Sequence, residues 1–347
     1  MIYQNIEFLN VAELEKIPGS ASVRLHRFPE KVRSHLGLGR SSYGRYVAEM
    51  TTGCELRFIS KGDRVHLSLS SLDADGEIVV FKGDFVHSRH LLKAGLVTSV
   101  QLTDNVDFGK LRPEVLKDGL FSPHVWRILF CHNFTGVFHD INPFGYDIRP
   151  PLHSEVPSRK WLAYGSSITH GAGALLHTNS WITQAACSLG VDVLNKGMGG
   201  SCFCEPEMAE YLAVSGEKGE WDFATLEIGV NMRGHFSSDE FEKHAGFLVN
   251  RIIDLNPEKP VFLITTFPNA ATSSIETSQD ARNEQLFNQH LRRLHQKRCD
   301  QNLHLIEGNT VLDNFSLLSC DLIHPSDNGH IAMGRNIAAI LSSGLNN

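Results

Sequence analysis

The sequence lacks any apolar run that approaches the roughly 20 residues needed to cross a bilayer. Residues 1–7 also lack the basic and then apolar pattern of a signal peptide, so we expect a cytoplasmic protein that does not associate with membranes. The net charge of −7 is spread over both signs without a basic stripe, which argues against nucleic-acid binding. No internal repeat and no low-complexity segment is present.

Cysteine is scarce and offers little for a disulfide framework or a metal site. Seven cysteines are spread over 347 residues, and an odd, thin distribution predicts reduced thiols. The closest pair, Cys202 and Cys204, has no second pair at zinc-site spacing. Four histidines near the segments discussed below lack helical i, i+4 pairing or carboxylate partners: His170, His177, His235 and His244. A Gly-rich phosphate loop is missing too, so we expect neither a metal nor another cofactor.

The composition is that of a globular protein, and the length suggests two domains. Hydrophobic residues make up 41% of the chain and charged residues 20%. In the first half, short alternating segments with turn signals predict a β-sandwich of the jelly-roll type. The predicted strand segments are 46–50, 54–59, 65–70, 77–84 (strand then turn), 97–102 and 125–130. Pro150 and Pro151 mark a boundary, which gives domains 1–152 and 153–347.

The second half alternates between strand and helix patterns. Predicted strands are 161–165, 191–194, 221–229, 261–266 and 303–307, and predicted helices are 180–189, 206–213, 238–255, 280–297 and 328–342. This order predicts a doubly wound α/β domain with about five parallel strands. Ligands of such sheets bind at the carboxyl ends of the strands.

The segment 161–171 combines a short apolar strand with a tight turn, Gly165-Ser166-Ser167, and a following helix. A serine on such a turn projects its hydroxyl from the sheet edge beside free backbone N–H groups. The segment therefore predicts a nucleophile and part of an oxyanion hole. By itself, this pattern leaves both serines as candidates.

A second candidate group, Asp321 and His324, lies just before the last predicted helix. The carboxylate can bind one imidazole nitrogen while the other nitrogen faces a serine hydroxyl, as in a Ser-His-Asp triad. Pro325 disfavours helical backbone at His324 and keeps it in the loop. The alternative interpretation is an Asp that caps the loop beside a solvated His.

Two further segments follow predicted strands. Residues 194–201 are rich in glycine and allow backbone N–H groups to approach a ligand, although a plain connecting loop fits equally well. Asn231 could offer its amide to an oxyanion, but Asn at a strand end is also a common turn residue. All four segments fall at strand ends of one domain, which favours a shared site.

In this order the four blocks resemble the SGNH (GDSL-like) hydrolases. The quoted blocks are Gly165-Ser166-Ser167-Ile168, Gly200, Gly229-Val230-Asn231 and Asp321-Leu322-Ile323-His324. The resemblance covers roughly residues 158–345. It implies that Ser167 is the nucleophile, His324 the base and Asp321 its orienting group. It further implies an oxyanion hole made of the N–H groups of Ser167 and Gly200 and the amide of Asn231.

Two positions depart from the family pattern: Ser166 stands where the family usually has Asp, and Met232 where Asp often follows the Asn. The form Gly-Ser-Ser-Ile-Thr-His-Gly, joined to an N-terminal β domain, resembles a subgroup that includes an acyltransferase of polyketide tailoring. We also expect His170, Arg233 or His235 to line the pocket. Arg233 could bind an anionic substrate group, although an ordinary surface Arg is the favoured alternative.

The sequence thus predicts a serine esterase that cleaves small acyl esters through an acyl-enzyme. The expected partner is a small-molecule ester, with an acetylated sugar as the leading candidate; a homo-oligomer stays open. One alternative keeps the triad and transfers the acyl group to an alcohol. Another, of a different class, is a non-catalytic carbohydrate-binding protein.

Overall fold

A computed structural model of the protein describes residues 1–117, 119–298 and 302–345. The chain forms two compact units. The first contains residues 1–29 and 48–158, and the second contains residues 30–47 and 159–347. The sequence predicts a single division after residue 152, whereas the two units divide after residues 29, 47 and 158. Residues 30–47, which we call the strap, belong to the second unit although they interrupt the first.

The first unit is built from two antiparallel sheets. Its elements are β1 Ile2–Tyr3, β2 Ile6–Leu9, β3 Glu13–Lys16, β4 Val23–His26, β5 Glu55–Ser60, β6 Arg64–Ser71, β7 Gly76–Lys82, β8 Phe85–Leu92, β9 Thr98–Thr103, α3 Pro113–Lys117, β10 Trp126–Phe130, β11 Gly136–Asn142 and β12 Ile148–Arg149. The strap between β4 and β5 contains α1 Glu30–Arg33 and most of α2 Tyr43–Glu49. One sheet has the order β1-β2-β5-β10-β7-β8, with β12 on β5, and the other has the order β3-β4-β11-β6-β9. Buried residues of both sheets, such as Phe58 and Leu67, share one core, so the predicted β-sandwich is confirmed.

One predicted strand of this half is wrong. Residues 46–50 lie in and just after helix α2. Within this segment the adjacent residues Val47 and Ala48 are both buried. Two adjacent buried residues fit one face of a helix and not the alternating faces of a strand. The sequence interpretation also passed over β1 to β4, β8, β11 and β12.

The second unit is a parallel sheet with helices between its strands. Its elements are β13 Lys160–Gly165, α4 Ser167–His170, α5 Trp181–Leu189, β14 Asp192–Gly197, α6 Pro206–Glu217, β15 Phe223–Glu227, α7 Ser238–Leu255, β16 Val261–Ile264, α8 Ala270–Ser273, α9 Gln279–Lys297, β17 Leu303–Ile306, α10 Gly308–Val311 and α11 Asp327–Leu345. The strand order is β14-β13-β15-β16-β17 and every pair is parallel. The predicted five-stranded doubly wound domain is confirmed.

This strand order determines where a site can form. Strand β13 lies between β14 and β15, so the chain leaves β13 towards one side and returns on the other. The crevice at such a switch point is where doubly wound sheets bind ligands. Within the described part of the chain, no helix is long and apolar enough to span a membrane.

Candidate active site

The turn after β13 distinguishes between the two candidate serines. Ser166 is wholly buried and caps α4, with its Oγ accepting a hydrogen bond from the N–H of Ile168 at 3.1 Å. Ser167 is only half-buried and begins the helix. Its hydroxyl is therefore the one presented to a ligand, as a nucleophile on a strand-to-helix turn requires.

The predicted base and its carboxylate lie next to Ser167. Nε2 of His324 is 2.8 Å from Oγ of Ser167, and Nδ1 of His324 is 2.7 Å from Oδ2 of Asp321. The carboxylate holds the proton on Nδ1, which leaves Nε2 to accept the proton of the serine hydroxyl. Side chains from two distant parts of the sequence thus form one continuous hydrogen-bond chain.

Hydrogen bonds within the loop before α11 hold Asp321 and His324 in position. Oδ1 of Asp321 accepts hydrogen bonds from the N–H groups of Ile323 and His324, both at 3.0 Å. Leu322 adopts a left-handed conformation with φ of 56°, which folds the loop back on itself. Partial burial raises the pKa of Asp321, but these hydrogen bonds and the one to the imidazole outweigh it and leave the pKa below the ordinary value. The carboxylate is therefore ionised, as an orienting group must be.

The predicted oxyanion donors come from the two strands that flank β13. Gly200 follows β14 in a left-handed turn with φ of 65°, and Asn231 follows β15. Oδ1 of Asn231 accepts a hydrogen bond from the N–H of Cys202 at 3.2 Å, which leaves its amide nitrogen as a donor. This bond also joins the two loops, so the position of the amide depends on the loop that carries Gly200.

Glycines let the loop after β14 pass directly over the nucleophile turn. A Cβ on Gly199 would lie 3.6 Å from both Cα and Cβ of Ser167, and a Cβ on Gly197 would lie 2.5 Å from Cα of His170. His170 is buried at the end of α4 against these glycines. It therefore supports the loop from below instead of presenting its ring to an open pocket.

The other two predicted pocket residues differ from each other. Nη1 of Arg233 donates to Glu284 at 2.5 Å and to Asn269 at 2.9 Å, and Nε lies 3.4 Å from Asp280. The guanidinium is thus engaged by internal carboxylates, which disfavours a role in binding an anionic substrate. His235 is exposed, and its ring meets the edge or face of Phe203 at 5.5 Å between centroids.

The part of the chain that the structure describes contains no group of three or more His, Cys, Asp or Glu side chains arranged to hold a metal ion. His177 is buried beside Gly171, and His244 packs its ring against Phe236 at 5.5 Å. The cysteines of the described residues are free thiols.

Sequence reasoning missed the strap as a part of the site. A Cβ on Gly200 would lie 3.2 Å from Cε1 of Tyr43, so an aromatic ring borders the predicted oxyanion glycine. Tyr43 and Tyr46 are both nearly half exposed, with ring centroids 5.8 Å apart. The only signal in the sequence was two tyrosines in a polar, Gly-rich stretch, which does not reveal that this stretch leaves its own domain.

The strap is anchored by polar contacts to other residues of the second unit. The N–H of Gly37 donates to Oε1 of Glu205 at 2.9 Å, at the start of α6. Nη2 of Arg40 binds Glu240 at 2.7 Å, and its guanidinium lies 4.4 Å from the centre of the Phe236 ring. The aromatic rim of the site, formed by Tyr43 beside Gly200 and by the neighbouring Tyr46, is thus fixed at two further points.

Sequence reasoning also missed Glu227, the last residue of β15. Its carboxylate is buried directly beneath the nucleophile turn and accepts hydrogen bonds from Ser166 and Thr169. A charged residue at the end of a mostly apolar strand was the available signal.

Comparison with protein families assigns the second unit. Residues 163–332 match the model of the GDSL-like lipase/acylhydrolase family, and this part of the chain belongs to that family. The match contains all the residues of the predicted triad and oxyanion hole, and the SGNH resemblance found in the sequence is thereby confirmed. A search of curated proteins finds no match.

Solved structures of similar fold extend over both units. The salicylyl-acyltransferase SsfX3 from a tetracycline biosynthetic pathway matches with a TM-score of 0.79 and 15% identity, covering 98% of this chain and 95% of that one. A family two carbohydrate esterase from Cellvibrio japonicus matches with a TM-score of 0.61 and 15% identity, covering 99% and 96%. An acetyl xylan esterase, Est2A, from Butyrivibrio proteoclasticus matches with a TM-score of 0.56 and 11% identity, covering 85% and 90%. At these identities the likeness shows the fold, with a β domain preceding the α/β domain.

Proposed function

We propose that this protein is a serine esterase that hydrolyses small acyl esters. The observation that carries the proposal is the hydrogen-bond chain from Ser167 through His324 to Asp321. Membership of the GDSL-like family supports an acylhydrolase or an acyltransferase, and the choice of ester hydrolysis is our inference.

In the proposed mechanism, Nε2 of His324 takes the proton of the Ser167 hydroxyl while Oγ attacks the ester carbonyl. The negative oxygen of the tetrahedral intermediate is bound by the N–H groups of Ser167 and Gly200 and by Nδ2 of Asn231. His324 then gives its proton to the leaving alcohol, which leaves an acyl group on Ser167. Water, deprotonated by the same imidazole, cleaves this acyl-enzyme and releases the acid.

A fluorophosphonate probe tests the nucleophile directly, since it forms a covalent bond only with an activated serine. We expect labelling of the wild type, with loss of labelling in S167A and H324A. The exposed helix residue Ser188 provides a matched control, and S188A should label like the wild type. Labelling that persists in S167A would contradict the assignment, and a wild type that does not label would favour a non-catalytic carbohydrate-binding protein.

Acyl transfer is the second candidate function, because SsfX3, whose fold spans nearly the whole chain, is named as an acyltransferase. Both reactions share the acyl-enzyme and differ in what attacks it. Incubation of the protein with an acyl donor, in water and with added alcohols or sugars, separates them by product. Free acid in the presence of every acceptor supports hydrolysis, whereas a new ester identifies an acyltransferase.

For the substrate, we propose a small acyl group, acetyl above others, on a sugar or related ring. Two observations support this choice. Similar folds include esterases named for carbohydrate or acetyl xylan substrates. The exposed ring of Tyr43, which neighbours that of Tyr46, lies beside the oxyanion glycine, where a sugar ring could stack. Hydrolysis rates over p-nitrophenyl esters of increasing chain length test the acyl part, and rates on acetylated sugars against acetylated linear alcohols test the ring.

A further inference from the structure

The carboxylate of Glu227 receives an unusual number of hydrogen bonds for one buried group. Oε2 accepts from the N–H of Ser166 at 2.8 Å, from its hydroxyl at 2.7 Å and from the hydroxyl of Thr169 at 3.0 Å. All of these donors belong to the turn and first helical residues that carry Ser167.

These bonds continue into helix α4. The Ser166 hydroxyl donates to Glu227 and at the same time accepts from the N–H of Ile168. Ser167 therefore lies between two residues whose positions depend on one carboxylate. Its own N–H is left for a developing oxyanion, and its Oγ is directed to His324.

The neighbouring glycine is shaped by the same carboxylate. A Cβ on Gly165 would lie 2.6 Å from Oε2 and 2.9 Å from Cβ of Glu227, closer than such atoms approach in proteins. A side chain at position 165 would thus displace the carboxylate. The glycine of the Gly-Ser-Ser motif is required here by the buried acid below it.

We propose that Glu227 is the positioning residue of the nucleophile and that Ser166 is its matched partner. The carboxylate at this turn is then that of Glu227 on β15, whereas the usual family motif has an Asp at the position of Ser166. The inference rests on the proposed function, because it assumes that Ser167 reacts. A carboxylate at position 166 would lie against Glu227, where two buried negative charges repel each other. Ser166 and Glu227 therefore form a pair that has to change together.

Burial raises the pKa of Glu227 to about 7, against the hydrogen bonds from Ser166 and Thr169, which lower it. The titratable group that faces it from the loop after β14 is the Cys202 thiol, next to the Tyr164 phenol of β13. Burial raises the pKa of both groups, so they stay neutral when Glu227 ionises. The facing residue of β16 is Ile264, which carries no charge. The imidazoles of His170, at the end of α4, and of His324, on Ser167, also border this turn. The part of a pH change that belongs to Glu227 is therefore the part that a variant without this carboxyl lacks.

The main test measures the labelling rate by fluorophosphonate and kcat/KM from pH 5 to 9 in the wild type and in E227Q. The amide keeps the shape but places an NH₂ group against N–H and O–H donors, so we expect a loss of about tenfold or more at pH 8. Near pH 5, where Glu227 is itself protonated, the two proteins should differ little. A ratio of wild type to E227Q that does not change with pH would overturn the proposal.

A second variant gives a test that does not depend on the correct folding of E227Q. T169V preserves the shape of the side chain and removes one hydrogen bond that lowers the pKa of Glu227, so the acid limb of the pH profile should move to higher pH. T183V makes the same change on α5, where the hydroxyl contacts only Ser180 in the described residues, and should leave the profile in place. An acid limb that stays unmoved in T169V would also overturn the proposal.

The pairing of Ser166 with Glu227 is tested by moving the carboxylate from position 227 to position 166. S166D should lose most of its labelling rate, and the double variant S166D/E227Q should recover at least part of it, since only one carboxylate remains. Equal rates in the two variants would refute the pairing. A wild type that labels normally while these variants behave alike rejects this inference alone, whereas absence of labelling in the wild type rejects the proposed function.

Discussion

The buried carboxyl of Glu205, which holds the strap through Gly37, makes the stability of the second unit depend on pH. Its Oε2 has no hydrogen-bond partner among the described residues. Burial raises its pKa from 4.5 to about 7, opposed by hydrogen bonds from Gly37 and from nearby backbone groups and increased slightly by Glu207. Between these pH values the folded state binds the proton more tightly than the unfolded chain does. The free energy of unfolding therefore falls as the pH rises from 4.5 to about 7 and levels off above.

The variant E205Q has no proton to lose, so this dependence disappears. Since one pH unit corresponds to about 1.4 kcal/mol, the variant should be more stable than the wild type by about 3 kcal/mol at pH 8 and similar to it near pH 4.5. Glu227 contributes the same pH dependence to the free energy of unfolding of both proteins, so its contribution cancels in the difference.

Urea unfolding followed by tryptophan fluorescence measures this difference. In a W126F background the remaining tryptophans, Trp161, Trp181 and Trp221, all lie in the second unit and report on it alone. E217Q, an exposed position on the same helix, serves as the control and should show no such pH dependence. If the free energies of unfolding of E205Q and the wild type differ by the same amount at pH 5 and at pH 8, the reasoning is refuted.

Three further predictions concern the site. N231A should lower kcat by about 10²- to 10³-fold in steady-state assays, and a loss below about tenfold would remove Asn231 from the oxyanion hole. Y43A should raise KM for acetylated sugars about fivefold with little change in kcat, while Y43F keeps the ring and should behave as the wild type; an unchanged KM contradicts a stacking role. R233A leaves buried Glu284 without its cation and should destabilise the protein by about 3 kcal/mol in urea unfolding, yet leave the preference between neutral and anionic esters unaltered. A selective loss of anionic substrates would instead make Arg233 a substrate contact.

The sequence predicted the α/β domain well because its signals are local. Apolar strands such as 261–266, followed by capped amphipathic helices, specify their elements without reference to distant residues. The approach of Ser167, Asp321 and His324 could be predicted as well, since the carboxyl ends of parallel strands meet at one edge. Their roles in catalysis, like the cytoplasmic location and the oligomeric state, stay predictions.

The missed features depend on contacts that no local pattern encodes. The role of Tyr43 arises only because the strap packs on a unit encoded more than a hundred residues later. Glu227 was visible in the sequence, but a buried acid becomes meaningful only when its donors, Ser166 and Thr169, are known. Arg233 was predicted from its distance to Asn231 along the chain, whereas its direction towards Glu284 is a property of the packed helices.

The interrupted first unit has a consequence for the order in which the protein is made. Strand β2 pairs with β5 across the strap, so the ends of residues 30–47 can be brought together as soon as the first 60 residues have been synthesised. Gly37 must then wait for Glu205, which lies 168 residues further along the chain. The strap would leave the ribosome as a looped-out segment and dock after its platform has folded, a contact of high sequence separation that forms slowly. The aromatic rim of the site is thus expected to be among the last parts of the enzyme to form.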